Sequence, residues 1–211
     1  MVAETAQVEE KLSARDWPCP VSGCSGRLGP WGWARPRWVF FDFEERLGEG
    51  TKFLPRRARC VSCGVTQVLL DQRLLSRRRD SSAVIQLALE LMAKGWGVGK
   101  VALWVGRPFS TVRGWLRAAK RCVDAAEPFL AALGQVVAPA APMPSTAVSE
   151  VGRLVSAGKR FAAGAGWPEK QWLAGAASGC RCCLLQVSWW AQHESAVAGI
   201  AVGLASSRAS P

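Results

Sequence analysis

Two short cysteine-bounded segments, CPVSGC from Cys19 to Cys24 and CVSC from Cys60 to Cys63, are separated by thirty-five residues, and this spacing constrains the fold more than any other feature of the 211-residue chain. A metal knuckle takes two thiolates from one tight turn, and Gly23 and Gly64 permit the backbone geometry that aims amide groups at the sulfurs. Two knuckles close a four-sulfur tetrahedral site with no position left for water, which is the arrangement of a structural zinc site. Cys19, Cys24, Cys60 and Cys63 are therefore the expected ligands of a structural Zn2+ ion. The insert between the pairs is rich in Gly, Pro and aromatic residues and carries short alternating runs, Arg37-Trp38-Val39-Phe40-Phe41 and, just after Cys63, Thr66-Gln67-Val68-Leu69, which suit strands joined by turns. The pattern is that of a zinc ribbon, a β unit too small to fold on its core alone and dependent on metal for its stability.

A disulfide framework is the alternative use of 8 cysteines. The N-terminus, MVAETAQVEEKLSARDW, has no apolar segment of the kind that directs secretion. A cytoplasmic location is expected, where thiols stay reduced and cysteine pairs serve as metal ligands. The longest apolar candidate for a membrane span, Pro128 to Ser149, is broken by Pro139, Pro142 and Pro144, so no membrane association is expected.

The net charge of +11 is confined to one stretch. From Arg56 to Arg121 there are fourteen Lys and Arg against Asp71, Asp80 and Glu90, an excess that equals that of the whole chain. A concentrated basic excess suits a polyanion, because each neutralised phosphate releases counterions. Residues 1–16 read as a polar tail with a short helix through Val8 to Leu12, 17–75 as the ribbon, 76–123 as a helical unit, and 124–211 as an Ala/Gly-rich helical tail interrupted by a Pro-rich linker at 139–144. Helices are expected over Ala125 to Val137, Thr146 to Ala163 and Gln171 to Ala177. The fold class is α+β.

Within the helical unit, Val84, Leu87, Ala88 and Leu91 recur at helical spacing, as do Val101, Val105, Val112 and Leu116. In the stretch VALWVGRPFSTVRGWLRAAKR, Ala102, Gly106, Val112 and Trp115 fall at the intervals of a helix-turn-helix: a small residue at the helix crossing, a glycine in the turn, then apolar residues facing inward. Pro108 ends the turn and Ser110 is the expected cap of the second helix. Ser110, Thr111, Arg113, Gly114 and Arg117 are left on the outer face, which would enter the major groove of double-stranded DNA, with Arg113 and Arg117 one helical turn apart. Lys120 and Arg121 at the helix end, and Arg77, Arg78 and Arg79 ahead of the first helix, are placed for phosphates.

With these motifs in view, CPVSGC…RRARCVSCGVTQVLL followed by LWVGRPFSTVRGWLR resembles the transposase-like zinc-ribbon and helix-turn-helix proteins of actinobacteria, and the N-terminal DNA-binding region of insertion-sequence transposases. The resemblance covers roughly residues 17 to 121. It implies zinc at Cys19, Cys24, Cys60 and Cys63 and a DNA reader at Ser110 to Arg117. A full transposase of this kind would carry an RNase-H-like domain with three carboxylates around two magnesium ions. After Val123 the acidic residues are Asp124, Glu127, Glu150, Glu169 and Glu194, none in a strand-like run. The expectation is a DNA-binding module without catalytic residues, a regulator or mobile-element accessory, with no small-molecule substrate; the alternative is a transposition or recombination enzyme, and a third reading makes the ribbon a protein-docking adaptor. A palindromic target would imply a homodimer, with the helical tail as its contact.

Other features suggest less. Cys180, Cys182, Cys183 and His193 lack knuckle spacing and an orienting third group for nucleophilic chemistry. GVGKVA around Lys100 is too short for a phosphate loop. Trp31, Trp33 and Trp38, interleaved with Arg35 and Arg37, can stack on single-stranded bases, but the preferred reading has them cover the ribbon core.

Overall fold

The computed structural model describes residues 2–3, 8–41, 50–71, 73–137, 149–168 and 171–179. The chain is α+β: β1 (Val2–Ala3), α1 (Val8–Ser13), β2 (Leu28–Trp33), β3 (Arg37–Val39), β4 (Thr51–Phe53), β5 (Arg56–Cys60) and β6 (Thr66–Asp71) precede α2 (Ser82–Ala93), α3 (Val98–Trp104), α4 (Phe109–Val137), α5 (Glu150–Gly164) and α6 (Trp172–Gly179). The main sheet has the order β1-β6-β5-β2, antiparallel except for β1 beside β6, and β3 pairs with β4 separately.

Alternation decides which way β5 faces. Ala58 and Cys60 point into a small core with Leu28, Leu69 and Cys19, while Arg59 points to solvent. That core is closed by α1, whose Val8 and Leu12, one helical turn apart, bury against the sheet. The segment read as a polar tail thus supplies core side chains. Its helix also supplies Glu9, whose carboxylate accepts from Arg56 Nε at 2.6 Å. Because α1 fills the core, the tryptophans are not needed there, and the expectation that they cover it is overturned: Trp31, Trp33 and Trp38 are 50%, 55% and 53% exposed. A bulge between Pro30 and Trp33, with Gly32 at φ +98°, turns β2 outward at this point. The rings instead carry guanidinium groups, Arg59 over Trp31 at 4.4 Å and Arg56 over Trp33 at 4.7 Å.

A second, larger core begins at Leu75 and runs through α2 to α6, ending at Ala176. It contains no residue of the first. The Ser81 hydroxyl accepts the Val84 amide and caps α2. Val84 and Ala88 are buried as expected, but so are Ile85, Leu89 and Met92, with Leu87 and Leu91 packed at the margin. α2 is buried this widely because the C-terminal helices cover its far side. There Gln86 Oε1 accepts the Leu173 amide at 3.1 Å, and Glu90 accepts Trp172 Nε1 at 2.8 Å. Helix α4 runs unbroken past Val123 and through Pro128, which forfeits one ladder hydrogen bond on the exposed side. The apolar side of α4, from Val112 to Leu133, continues into the packing of α5 and α6, so residues 150–176 belong to the same core as the helices before them. The linker 139–144, as well as Cys180, Cys182, Cys183 and His193, lies outside the described residues. Among the described residues no helix is long and apolar enough to cross a membrane.

Candidate metal centre and nucleic-acid interface

Two turns bring the cysteines together. In the first, Cys19 N–H donates to Gly26 O at 2.8 Å and Cys24 N–H to Val21 O at 3.1 Å, while the amides of Val21 and Gly26 point at Cys19 Sγ and Cys24 Sγ at 3.5 and 3.4 Å. In the second, Cys60 ends β5, and Gly64 N–H donates back to Cys60 O at 3.1 Å. Gly23 and Gly64 hold φ of +77° and +73°, the left-handed geometry that favours glycine.

The four sulfurs lie within 4.8 Å of one another, with Cys19–Cys63 at 3.6 Å and Cys24–Cys60 at 3.8 Å. A tetrahedral ion with sulfur bonds of about 2.3 Å would separate its ligands by roughly 3.8 Å, so the donor set fits one metal ion. The backbone amides of Cys63 and Ser62 pull the Cys60 thiol down to about 6, while desolvation pushes the Cys19 thiol up to about 12. Gly26, which spacing alone did not single out, is what allows the close approach. A Cβ there would stand 2.5 Å from Cys60 Sγ and 2.6 Å from Ser62 Oγ.

The second candidate surface is the start of α4. Helix α3 ends in paired turns, Gly106 N–H to Leu103 O and Arg107 N–H to Ala102 O, with Gly106 at φ +63°. This closure sends the chain back at once and leaves only four residues between α3 and α4. Its first turn differs from expectation. Pro108, not Ser110, occupies the capping position, its carbonyl accepting the amides of Thr111 and Val112 at 2.9 and 3.2 Å. Helix α4 starts at Phe109, which places Ser110 inside the first turn. The fixed φ of proline already suits a helix entry, so no side-chain cap is required to start one.

Along α4, Val112, Trp115, Ala118, Ala119 and Cys122 are buried. Ser110, Arg113, Arg117, Lys120 and Arg121 are exposed, and Thr111 and Gly114 are half-buried between them. Lys120 forms an ion pair with Glu150 at 3.4 Å, both half in solvent. Asp124 and Glu127 face Arg153, at 3.9 and 2.8 Å. Arg77, Arg78 and Arg79 lie in the loop between β6 and α2. Arg77 is exposed at φ +60°, Arg78 is half-buried, and Arg79 donates to Trp38 O at 3.3 Å while lying over the Phe40 ring.

Arg107 is the basic residue that sequence patterning missed. It is buried, bonded through Nε to Asp80, and set over Phe40 at 4.8 Å. The signal was the isolated Asp80 beside a helix start in a stretch of cations. Comparison of the chain with protein-family models, curated proteins and solved structures finds no match.

Proposed function

We propose that the chain binds double-stranded DNA in a sequence-specific manner, using α3 and α4 as a helix-turn-helix and the cysteine cluster as a structural zinc site. The observation that carries this reading is the division of α4: an apolar side locked into the core, and an outer side bearing Ser110, Arg113, Arg117 and Arg121 in solvent. A helix held by one side and cationic on the other fits a major groove, where paired donors of arginine match the acceptors of guanine. Four thiolates at tetrahedral spacing favour zinc over harder cations, and a closed four-sulfur shell leaves no position for substrate. The role that follows is that of a regulator or mobile-element accessory.

The test is selection of bound sequences from a random duplex pool by the zinc-loaded full chain. A sharp motif is expected. A featureless pool, or no recovery at low salt, overturns the reading.

A further inference from the structure

Three large apolar side chains stand in water on either side of the α3–α4 turn: Leu103 is 86% exposed, Trp104 61% and Phe109 53%. Elsewhere in the described helices no apolar side chain of this size is exposed, so the exposure is local to the turn. A cluster of this kind marks a contact surface. Its neighbours decide which kind. Lys100 lies ahead of it, on the Trp96 ring at 3.9 Å, and Ser110, Arg113 and Arg117 follow it on the exposed side of α4. The one cation within the turn, Arg107, is turned inward on Asp80 and leaves the outer turn apolar.

We infer that Phe109 is a base-reading residue that recognises the C5-methyl group of thymine. The inference rests on the helix-turn-helix reading above and adds the base that its first residue selects. Phe109 is the first residue of α4, and the N-terminal residues of a recognition helix are the ones that reach base edges. The thymine methyl is the apolar group on the floor of the major groove, and an aromatic side chain is one of its known partners. Arg113 stands four residues on, a rise of about 6 Å, which is close to two base steps of about 3.4 Å. The site should therefore pair a thymine with a guanine roughly two positions away.

The first arm of the test alters only the DNA. Each thymine of the selected duplex is replaced in turn by uracil, which removes only the methyl group, and affinity of the full chain is measured. One position should lose about three- to fivefold, the value of one buried methyl. Phe109→Ala, a half-exposed change that spares the core, should bind the thymine duplex more weakly by a similar or larger factor and show no further loss on the uracil duplex. A uracil penalty of equal size in both proteins, or none at any position while the selected duplex still outcompetes random DNA, overturns the Phe109 assignment alone. If selected and random duplexes bind alike, the helix-turn-helix reading fails and this inference with it.

Discussion

Arg107, in the turn between α3 and α4, donates from Nε to the carboxylate of Asp80, which sits immediately ahead of α2, and the two side chains are 1% and 10% exposed. The pair does more than join two helices. Arg107 Nη1 also reaches the Gly106 carbonyl at 3.3 Å, and the backbone around Asp80 is tied to the β unit, with Phe40 N–H donating to Arg79 O and Ser81 N–H to Phe40 O, each at 2.8 Å. One buried ion pair thus sets the turn, the start of α2 and the edge of the β unit against each other.

Arg107→Ala should lower stability by about 3–5 kcal/mol, because it leaves the Asp80 carboxylate buried without its cation. Asp80→Asn in the same background should recover part of that loss, a coupling readable from thermal or denaturant midpoints of the single and double variants. Equal, additive losses would show that the pair does not act as a unit.

Removing metal with a strong chelator should unfold the β unit and spare the helices. The two cores share no residue, so the helical one does not require the cluster for its packing. Hydrogen exchange should accelerate at the amides of β5 and β6 while those of α2 and the buried part of α4 stay protected. Loss of helical circular dichroism in parallel with metal would count against this division.

Gly26→Ala should abolish tight metal binding although it replaces none of the four cysteines. The added methyl would occupy the space of Cys60 Sγ and Ser62 Oγ, forcing the knuckles apart. Metal content after gel filtration, compared with that of Gly97→Ala, where a Cβ would meet nothing within 4 Å, isolates the effect. Full metal content in Gly26→Ala would refute it.

These variants also separate what residue patterns disclose from what they conceal. Cysteine spacing marked four residues whose sulfurs the fold brings within 4.8 Å, because metal chemistry demands fixed residue types at close intervals, and the periodicity of Val101, Val105, Val112 and Leu116 marked α3 and α4 as helices for a similar reason, although Leu116 lies only at the margin of the core. Arg107 was hidden among surface cations, since a buried and a solvated arginine look alike until a partner such as Asp80 is placed beside it. Trp31 and Trp33 misled in the opposite direction: their apolar area suggested a core position, yet α1 had already filled the core with Val8 and Leu12. The C-terminal helices were legible as helices but not as packing, because glycine and alanine mark where a backbone approaches and not what approaches it.

Gly158 shows what approaches. A Cβ on this residue of α5 would run into the indole of Trp172 on α6, a ring that is itself fully buried. Gly158→Ala should therefore destabilise the helical core by about 1–3 kcal/mol as the tryptophan is displaced. The accompanying loss of the Trp172 Nε1 bond to Glu90 should be visible as a shifted indole proton resonance. An unchanged melting temperature would mean that α6 does not pack as described.

Gly114 sets stability against function in a single substitution. It lies within α4, half-buried between Arg113 and Trp115, and a Cβ there would meet no atom within 4 Å. Alanine should stabilise the helix by about 0.5–1 kcal/mol, since glycine loses more backbone freedom on folding. On the proposed reading, that same open space is where a base edge or phosphate comes closest to the helix, so the methyl would hold α4 away from the groove. Gly114→Ala is accordingly expected to melt higher and to bind its selected duplex on the order of tenfold more weakly. A variant that melts higher and binds as well as the parent would place the DNA contact elsewhere on α4, towards Arg117 and Arg121.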